Sequence, residues 1–125
     1  MSLFPASRPS LYCVELRTSR WQELVAWYRD ALGLRVLVRV IDDGYALLEA
    51  GDTRLAIMGR DTPGEASGRW SLGFEVADLD HIYRGVGAAA VGPPETHAEG
   101  FRELRVIDPD GNRLRLFSWA QDRTA

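Results

Sequence analysis

Asp108-Pro109-Asp110-Gly111-Asn112 is the most informative segment of this sequence. Pro at the start of a turn and Asp-Gly in its middle favour a tight bend. The flanking residues 102–107 and 113–117 alternate with a period of two, which is typical of β-strands. The pattern therefore predicts a β-hairpin, which by itself is a structural signal and carries no chemistry.

The composition is that of an ordinary globular domain. The chain has 125 residues, 46% of them hydrophobic and 26% charged, which is enough for one domain with a core. All 15 basic residues are Arg, so the sequence contains no Lys. This excludes Schiff-base catalysis by a side-chain amine and the lysine of a phosphate-binding loop.

The distribution of charge argues against nucleic-acid and membrane partners. The net charge is −3, and the Arg residues are scattered rather than clustered on a basic stretch. No apolar run approaches the roughly 20 residues of a membrane helix. The N-terminal residues lack the order of a signal peptide, so we expect a cytoplasmic protein. The single Cys, Cys13, cannot form an internal disulfide.

The chain reads as two similar halves. After a tail over residues 1–10, the first half covers 11–60 and the second covers 69–119, with a linker of turn-forming composition at 61–68. In the first half, a strand over 11–18 precedes a helix that ends at Gly33, and three strand-like segments follow at 34–41, 45–50 and 53–58.

The second half repeats this order. A strand over 71–76 precedes a short helix that Asp78 can cap, and the Gly- and Pro-rich stretch 87–100 has room for one short strand before the hairpin. Each half thus reads β-α-β-β-β, which predicts the α+β class. Because such a module cannot cover its own sheet, we expect the two modules to form one curved mixed sheet around a cleft, within a single domain.

Three segments carry a resemblance to a known family. They are residues 27–34 (WYRDALGL), 76–80 (VADLD) and 100–112 (GFRELRVIDPDGN). In this order they resemble the vicinal oxygen chelate superfamily, which includes glyoxalase I, fosfomycin-resistance transferases, extradiol dioxygenases and bleomycin-resistance proteins. The resemblance covers about residues 11–119 and implies a glyoxalase-like fold. It does not imply one function, because this fold hosts several chemistries.

The resemblance also implies where a metal would bind. Enzymes of the superfamily hold a divalent metal with His and Glu side chains, and the corresponding places here are Cys13, Ser71 and Arg115, with Ala56, Ile57 or Met58 for a further Glu. None of these matches the carboxylate and imidazole ligands that such metals prefer. An Arg beside the metal would add a repulsion of about 4 kcal/mol per unit of metal charge. We therefore expect no metal and no cofactor.

The strand alternation selects charged residues that would face the predicted cleft. Glu15, Glu103, Arg105 and Arg115 are either a salt-bridged patch or a polar ligand pocket. The Arg residues suit a carboxylate or phosphate, the Glu residues suit a cation, and the sequence leaves both open. A displaced metal site of Glu15, Glu103 and His97 is a further, weaker hypothesis. The ligand-binding candidates are Cys13, Glu15, Ser71, Glu103, Arg105 and Arg115, and no catalytic residue is assigned.

For several other side chains, a structural role is an alternative to a functional one. Cys13 as a nucleophile would need a base, and a lone strand Cys is more often a small buried side chain. Trp70, Phe101 and Phe117 either stack on a flat ligand or belong to the core.

Two functional hypotheses follow from the resemblance. The first is a metal-free, homodimeric protein of the bleomycin-resistance type that binds a small organic molecule. The second is a metal-dependent lyase, isomerase, transferase or dioxygenase with a non-standard site.

Overall fold

The computed structural model describes residues 8–119. These residues form eight strands, two α-helices and one short 3₁₀ turn. In chain order the elements are β1 (Cys13–Thr18), α1 (Trp21–Asp30), β2 (Arg35–Val40), β3 (Tyr45–Ala50), β4 (Thr53–Gly59), β5 (Leu72–Glu75), α2 (Leu79–Val86), the 3₁₀ turn (Gly87–Ala89), β6 (Glu95–Thr96), β7 (Phe101–Ile107) and β8 (Arg113–Trp119). The predicted α+β class and the repeated β-α-β-β-β order are confirmed. No helix within residues 8–119 is long and apolar enough to cross a membrane.

The contacts divide the chain into two compact units, each built on a four-stranded mixed sheet. The first unit combines the residues up to Trp21 with Leu34–Pro63, and its strand order is β1-β4-β3-β2. Strand β1 runs parallel to β4, and the other pairs are antiparallel. Its buried hydrophobic residues are contributed by β3 and β4, with Leu48 and Ile57 fully inaccessible to solvent.

The second unit combines Gln22–Gly33 with the residues from Gly64 onward. Its strand order is β5-β8-β7-β6, with β5 parallel to β8 and the other pairs antiparallel. Helix α2 contacts β7 and β8. The side chains of β7 and β8 that alternate onto one face are buried, namely Leu104, Val106, Leu114 and Leu116.

Helix α1 follows β1 in the sequence, but nearly all of it belongs to the second unit. Its buried residue Tyr28 donates a 2.6 Å hydrogen bond from its hydroxyl to the Oδ2 atom of Asp108. Burial, together with this neighbouring carboxylate, raises the pKa of Tyr28 well above its ordinary value. The hydroxyl therefore stays protonated and remains a donor.

Asp108 also stabilises the turn of the hairpin between β7 and β8. Its Oδ1 atom accepts the backbone N–H groups of Asp110 and Asn112, each at 2.9 Å. Its Oδ2 atom accepts the Asn112 side-chain amide at 2.8 Å in addition to the Tyr28 hydroxyl. Gly111 closes the turn with φ 90°, a left-handed conformation that disfavours residues with a Cβ atom. The predicted hairpin is thus confirmed, and its first Asp links it to helix α1.

Candidate functional site

One face of the second sheet is charged and aromatic rather than aliphatic. Since side chains alternate along a strand, the residues of β7 and β8 that alternate with the buried Leu104, Val106, Leu114 and Leu116 lie on this face. Register pairs Phe101 with Trp119, Glu103 with Phe117, and Arg105 with Arg115. We call these six residues the polar face: Phe101, Glu103, Arg105, Arg115, Phe117 and Trp119.

Glu103 is the buried centre of the polar face, with only 8% of its surface exposed. Its Oε2 atom accepts a hydrogen bond from the Nε atom of Arg115, and its Oε1 atom lies 2.9 Å from the Nε2 atom of His97. The Arg115 guanidinium holds the pKa of the Glu103 carboxyl below its usual range against the opposing effect of burial, and His97 assists. Glu103 is therefore ionised at neutral pH, and both of its oxygens have partners.

His97 reaches Glu103 because of the turn between β6 and β7. The His97 N–H bonds to the Phe101 carbonyl at 2.8 Å, and the Gly100 N–H bonds to the His97 carbonyl at 3.0 Å. The imidazole stacks on the Phe101 ring with 4.5 Å between centroids. The sequence suggested His97 only as a ligand of a displaced metal site with Glu15 and Glu103, and it did not predict the turn that positions this side chain. The signal that could have found it is the Gly three residues later, the spacing that also separates Asp108 from Gly111.

The aromatic residues of the polar face form one cluster. The rings of Phe101, Phe117 and Trp119 meet edge to face, with centroids 6.0 to 6.3 Å apart. Trp119 remains 42% exposed, and Phe101 and Phe117 are half-buried. Trp70, the other aromatic candidate, is 77% exposed in the segment before β5. The cluster offers π-surface on which a flat molecule can stack.

Arg105 lies directly across from Arg115 in the register of β7 and β8, so the two Arg side chains leave the same face of the sheet at paired positions. Its only ion pair among the described residues is with Glu95 on β6, at 3.6 Å, and both of those side chains are more than half exposed. Such an exposed pair is worth only about 0–1 kcal/mol. The guanidinium of Arg105 is thus available to a competing anion.

The structure brings together three of the six sequence-selected candidates, Glu103, Arg105 and Arg115. Ser71 directly precedes β5, in which Gly73 is the register partner of Arg115. Cys13 and Glu15 lie on β1 of the first unit, where Cys13 is half-buried beside Arg54 and Glu15 is exposed.

Comparison with known proteins identifies the class. The model of the glyoxalase/bleomycin resistance protein/dioxygenase superfamily matches residues 11–116, and the chain belongs to this superfamily. The uncharacterised protein YraH of Bacillus subtilis is 26% identical over 120 aligned residues, which cover 83% of this chain and 94% of YraH.

Solved structures share the fold. TioX from Micromonospora sp. ML1 is 24% identical, with a TM-score of 0.71, covering 89% of this chain and 99% of TioX. A lactoylglutathione lyase from Agrobacterium tumefaciens is 17% identical, with a TM-score of 0.67, covering 89% of this chain and 94% of the lyase. At these identities the likeness concerns the fold alone.

The side chains at the places where the resemblance implies a metal do not suit a divalent ion. Those places hold a thiol at Cys13, a hydroxyl at Ser71 and a permanent cation at Arg115, which is ion-paired with Glu103. Within residues 8–119, no three His, Cys, Asp or Glu side chains are grouped so that they could hold a metal ion. The hypothetical set of Glu15, Glu103 and His97 is divided between the two units, and within the second unit His97 and Glu103 are in contact. At Cys13, Ser71 and Arg115, it is the chemistry of the side chains that disfavours a metal site.

Proposed function

We propose that this protein is a metal-free member of the superfamily that binds a small organic molecule on the polar face. The observation that carries the proposal is the ion pair between Arg115 and Glu103. Arg115 stands where the superfamily's enzymes have a metal-binding Glu, and it neutralises the buried carboxylate on the neighbouring strand. With an Arg115–Glu103 ion pair in place of a metal ligand, the polar face can recognise a small molecule by its shape and charge.

The exposed groups around this pair support ligand binding. Three aromatic rings offer stacking surface, and the outward guanidinium groups offer forked hydrogen-bond donors. We also propose a homodimer, as the resemblance implies, and a cytoplasmic location, as the N-terminal sequence pattern suggests; sedimentation at several concentrations tests the dimer.

A thermal-shift screen with cationic antibiotics and small organic acids tests the proposal. We expect at least one compound to raise the unfolding temperature, because a ligand at 100 times its Kd stabilises the native state by about 2.7 kcal/mol. Mass spectrometry should recover the compound unmodified. Conversion of the compound by a metal-loaded protein would contradict the proposal and favour a lyase, transferase or dioxygenase.

A matched pair of variants locates the binding. Phe117→Leu removes an aromatic ring from the polar face, whereas Phe74→Leu makes the same change on the opposite face of the same sheet, where Phe74 pairs with the buried Leu116. We expect Phe117→Leu to weaken binding and Phe74→Leu to preserve it. The reverse order would place the ligand elsewhere.

A further inference from the structure

The charged side chains of the polar face differ in how closely they are paired. Both Glu103 oxygens have close partners, one on His97 and one on Arg115. Arg105 has only its 3.6 Å contact with exposed Glu95. A cationic ligand that used Glu103 would have to displace Arg115 from a buried carboxylate, whereas an anionic ligand at Arg105 would displace only a weak surface contact.

A third Arg strengthens the cationic end of the face. Arg113 follows the same alternation as Arg115 on β8 and pairs in register with Ile107. No carboxylate of residues 8–119 lies within ion-pairing distance of Arg113. Arg115 donates to Glu103 through Nε, so its two terminal nitrogens remain as donors.

The carboxylates other than Glu103 lie toward the aromatic end of this face or at its margin. Glu75 on β5 is the register partner of Phe117, on the aromatic side of Arg115, and Glu95 on β6 is the register partner of Glu103. The face as a whole is therefore nearly balanced in charge, but it is polarised along the strands from aromatic rings to guanidinium groups.

The spacing of the two ends constrains the ligand. Phe117 lies two residues from Arg115 on the same face, which corresponds to about 7 Å along the strand. A ligand whose ring stacks on Phe117 therefore needs its acid group at some distance from that ring to reach Arg105 and Arg115. An acid on a short flexible chain spans this separation, whereas benzoate carries its carboxylate directly on the ring.

Resting on the proposed function, we infer that the ligand is an aromatic carboxylate whose acid group is held on a short chain. Its ring stacks against Phe117 and its carboxylate bridges Arg105 and Arg115. Arg113 adds positive potential beside this bridge. The forked guanidinium donors match the geometry of the two carboxylate oxygens.

Calorimetric titration with matched probes tests the inference. We expect 3-phenylpropanoate to bind more tightly than 3-phenylpropylamine, which presents the same ring with the opposite charge, and more tightly than benzoate. Arg105→Gln should weaken binding of the acid about tenfold, the lower end for a charge-assisted hydrogen bond because Arg105 is exposed. The control Arg102→Gln removes an Arg of the same strand that bonds Asp80, and should leave the affinity unchanged.

The Glu103→Gln variant is an independent test of whether the ligand is an anion or a cation. It frees the Arg115 guanidinium, so we expect acid binding to be kept or tightened. A cationic ligand that used Glu103 would instead lose affinity.

Tighter binding of the amine, or equal effects of Arg105→Gln and Arg102→Gln on the acid, would overturn the inference. Binding of cationic compounds that depends on Phe117 would leave the proposed function standing while the inference fails. If no compound of either charge binds, the proposed function itself fails.

Discussion

Replacing Tyr28 with Phe removes one oxygen atom from the core of the second unit. That oxygen is completely buried and donates a 2.6 Å hydrogen bond to Asp108. The ring keeps its packing, and Asp108 keeps its three other donors, so the loss is confined to one hydrogen bond with a carboxylate acceptor. Such bonds contribute about 1.5–3 kcal/mol. We therefore expect the free energy of unfolding to fall by about 2 kcal/mol.

Urea unfolding followed by circular dichroism measures this loss, and a fall in Tm of about 8 °C should accompany it for a chain of this size. Tyr83→Phe is the matched control, because Tyr83 is a half-buried residue of α2 whose hydroxyl has no hydrogen-bond partner among the described residues. It should change stability by less than about 0.5 kcal/mol.

A double-mutant cycle identifies the source of the effect. In an Asp108→Ala background the Tyr28 hydroxyl has lost its acceptor. Tyr28→Phe should then cost little, which gives a coupling energy of about 2 kcal/mol. If Tyr28→Phe lowers the free energy of unfolding no more than the control does, or lowers it equally with and without Asp108, the hydrogen bond is not the source of the stability.

Two further predictions concern the second unit. Because Arg115 chiefly lowers the pKa of Glu103, the ionised carboxylate stabilises the fold above the ordinary Glu pKa, and this contribution disappears as pH falls through the lower folded-state pKa. Glu103→Gln should thus cost about 1–2 kcal/mol at pH 7, and its difference from wild type should shrink below about pH 4 in urea titrations; a difference independent of pH would contradict this. Asp78→Ala removes the side chain that accepts the His81 N–H at the start of α2, so it should cost about 1 kcal/mol in the same assay, and an unchanged stability would contradict the cap.

The local signals in the sequence were sufficient for the elements. The Asp-Pro-Asp-Gly turn between alternating strands predicted the hairpin, and Asp78 before an amphipathic stretch predicted the cap of α2. Both features depend on residues only a few positions apart. The strand period likewise placed Glu103, Arg105 and Arg115 on one face, because their register follows from the hairpin.

Long-range partners could not be read in the same way. Periodicity identifies the apolar side of α1, but it does not reveal that Tyr28 bonds to Asp108, 80 residues away. The turn that positions His97 could not be predicted because β6 has only two residues, too few for an alternation to be recognised. The partner that completes the Glu103 environment thus comes from a turn rather than from a periodic segment.

The metal content of the untagged protein, purified without chelator, tests whether the chain holds a divalent ion. Elemental analysis by mass spectrometry, before and after incubation with Mn²⁺, Ni²⁺ and Zn²⁺ followed by dialysis, gives the number of ions per chain. Because Arg115 occupies a ligand position and is paired with Glu103, we predict far less than one ion per chain in every case. One tightly held divalent ion per chain, lost on substitution of Glu103, would contradict the account.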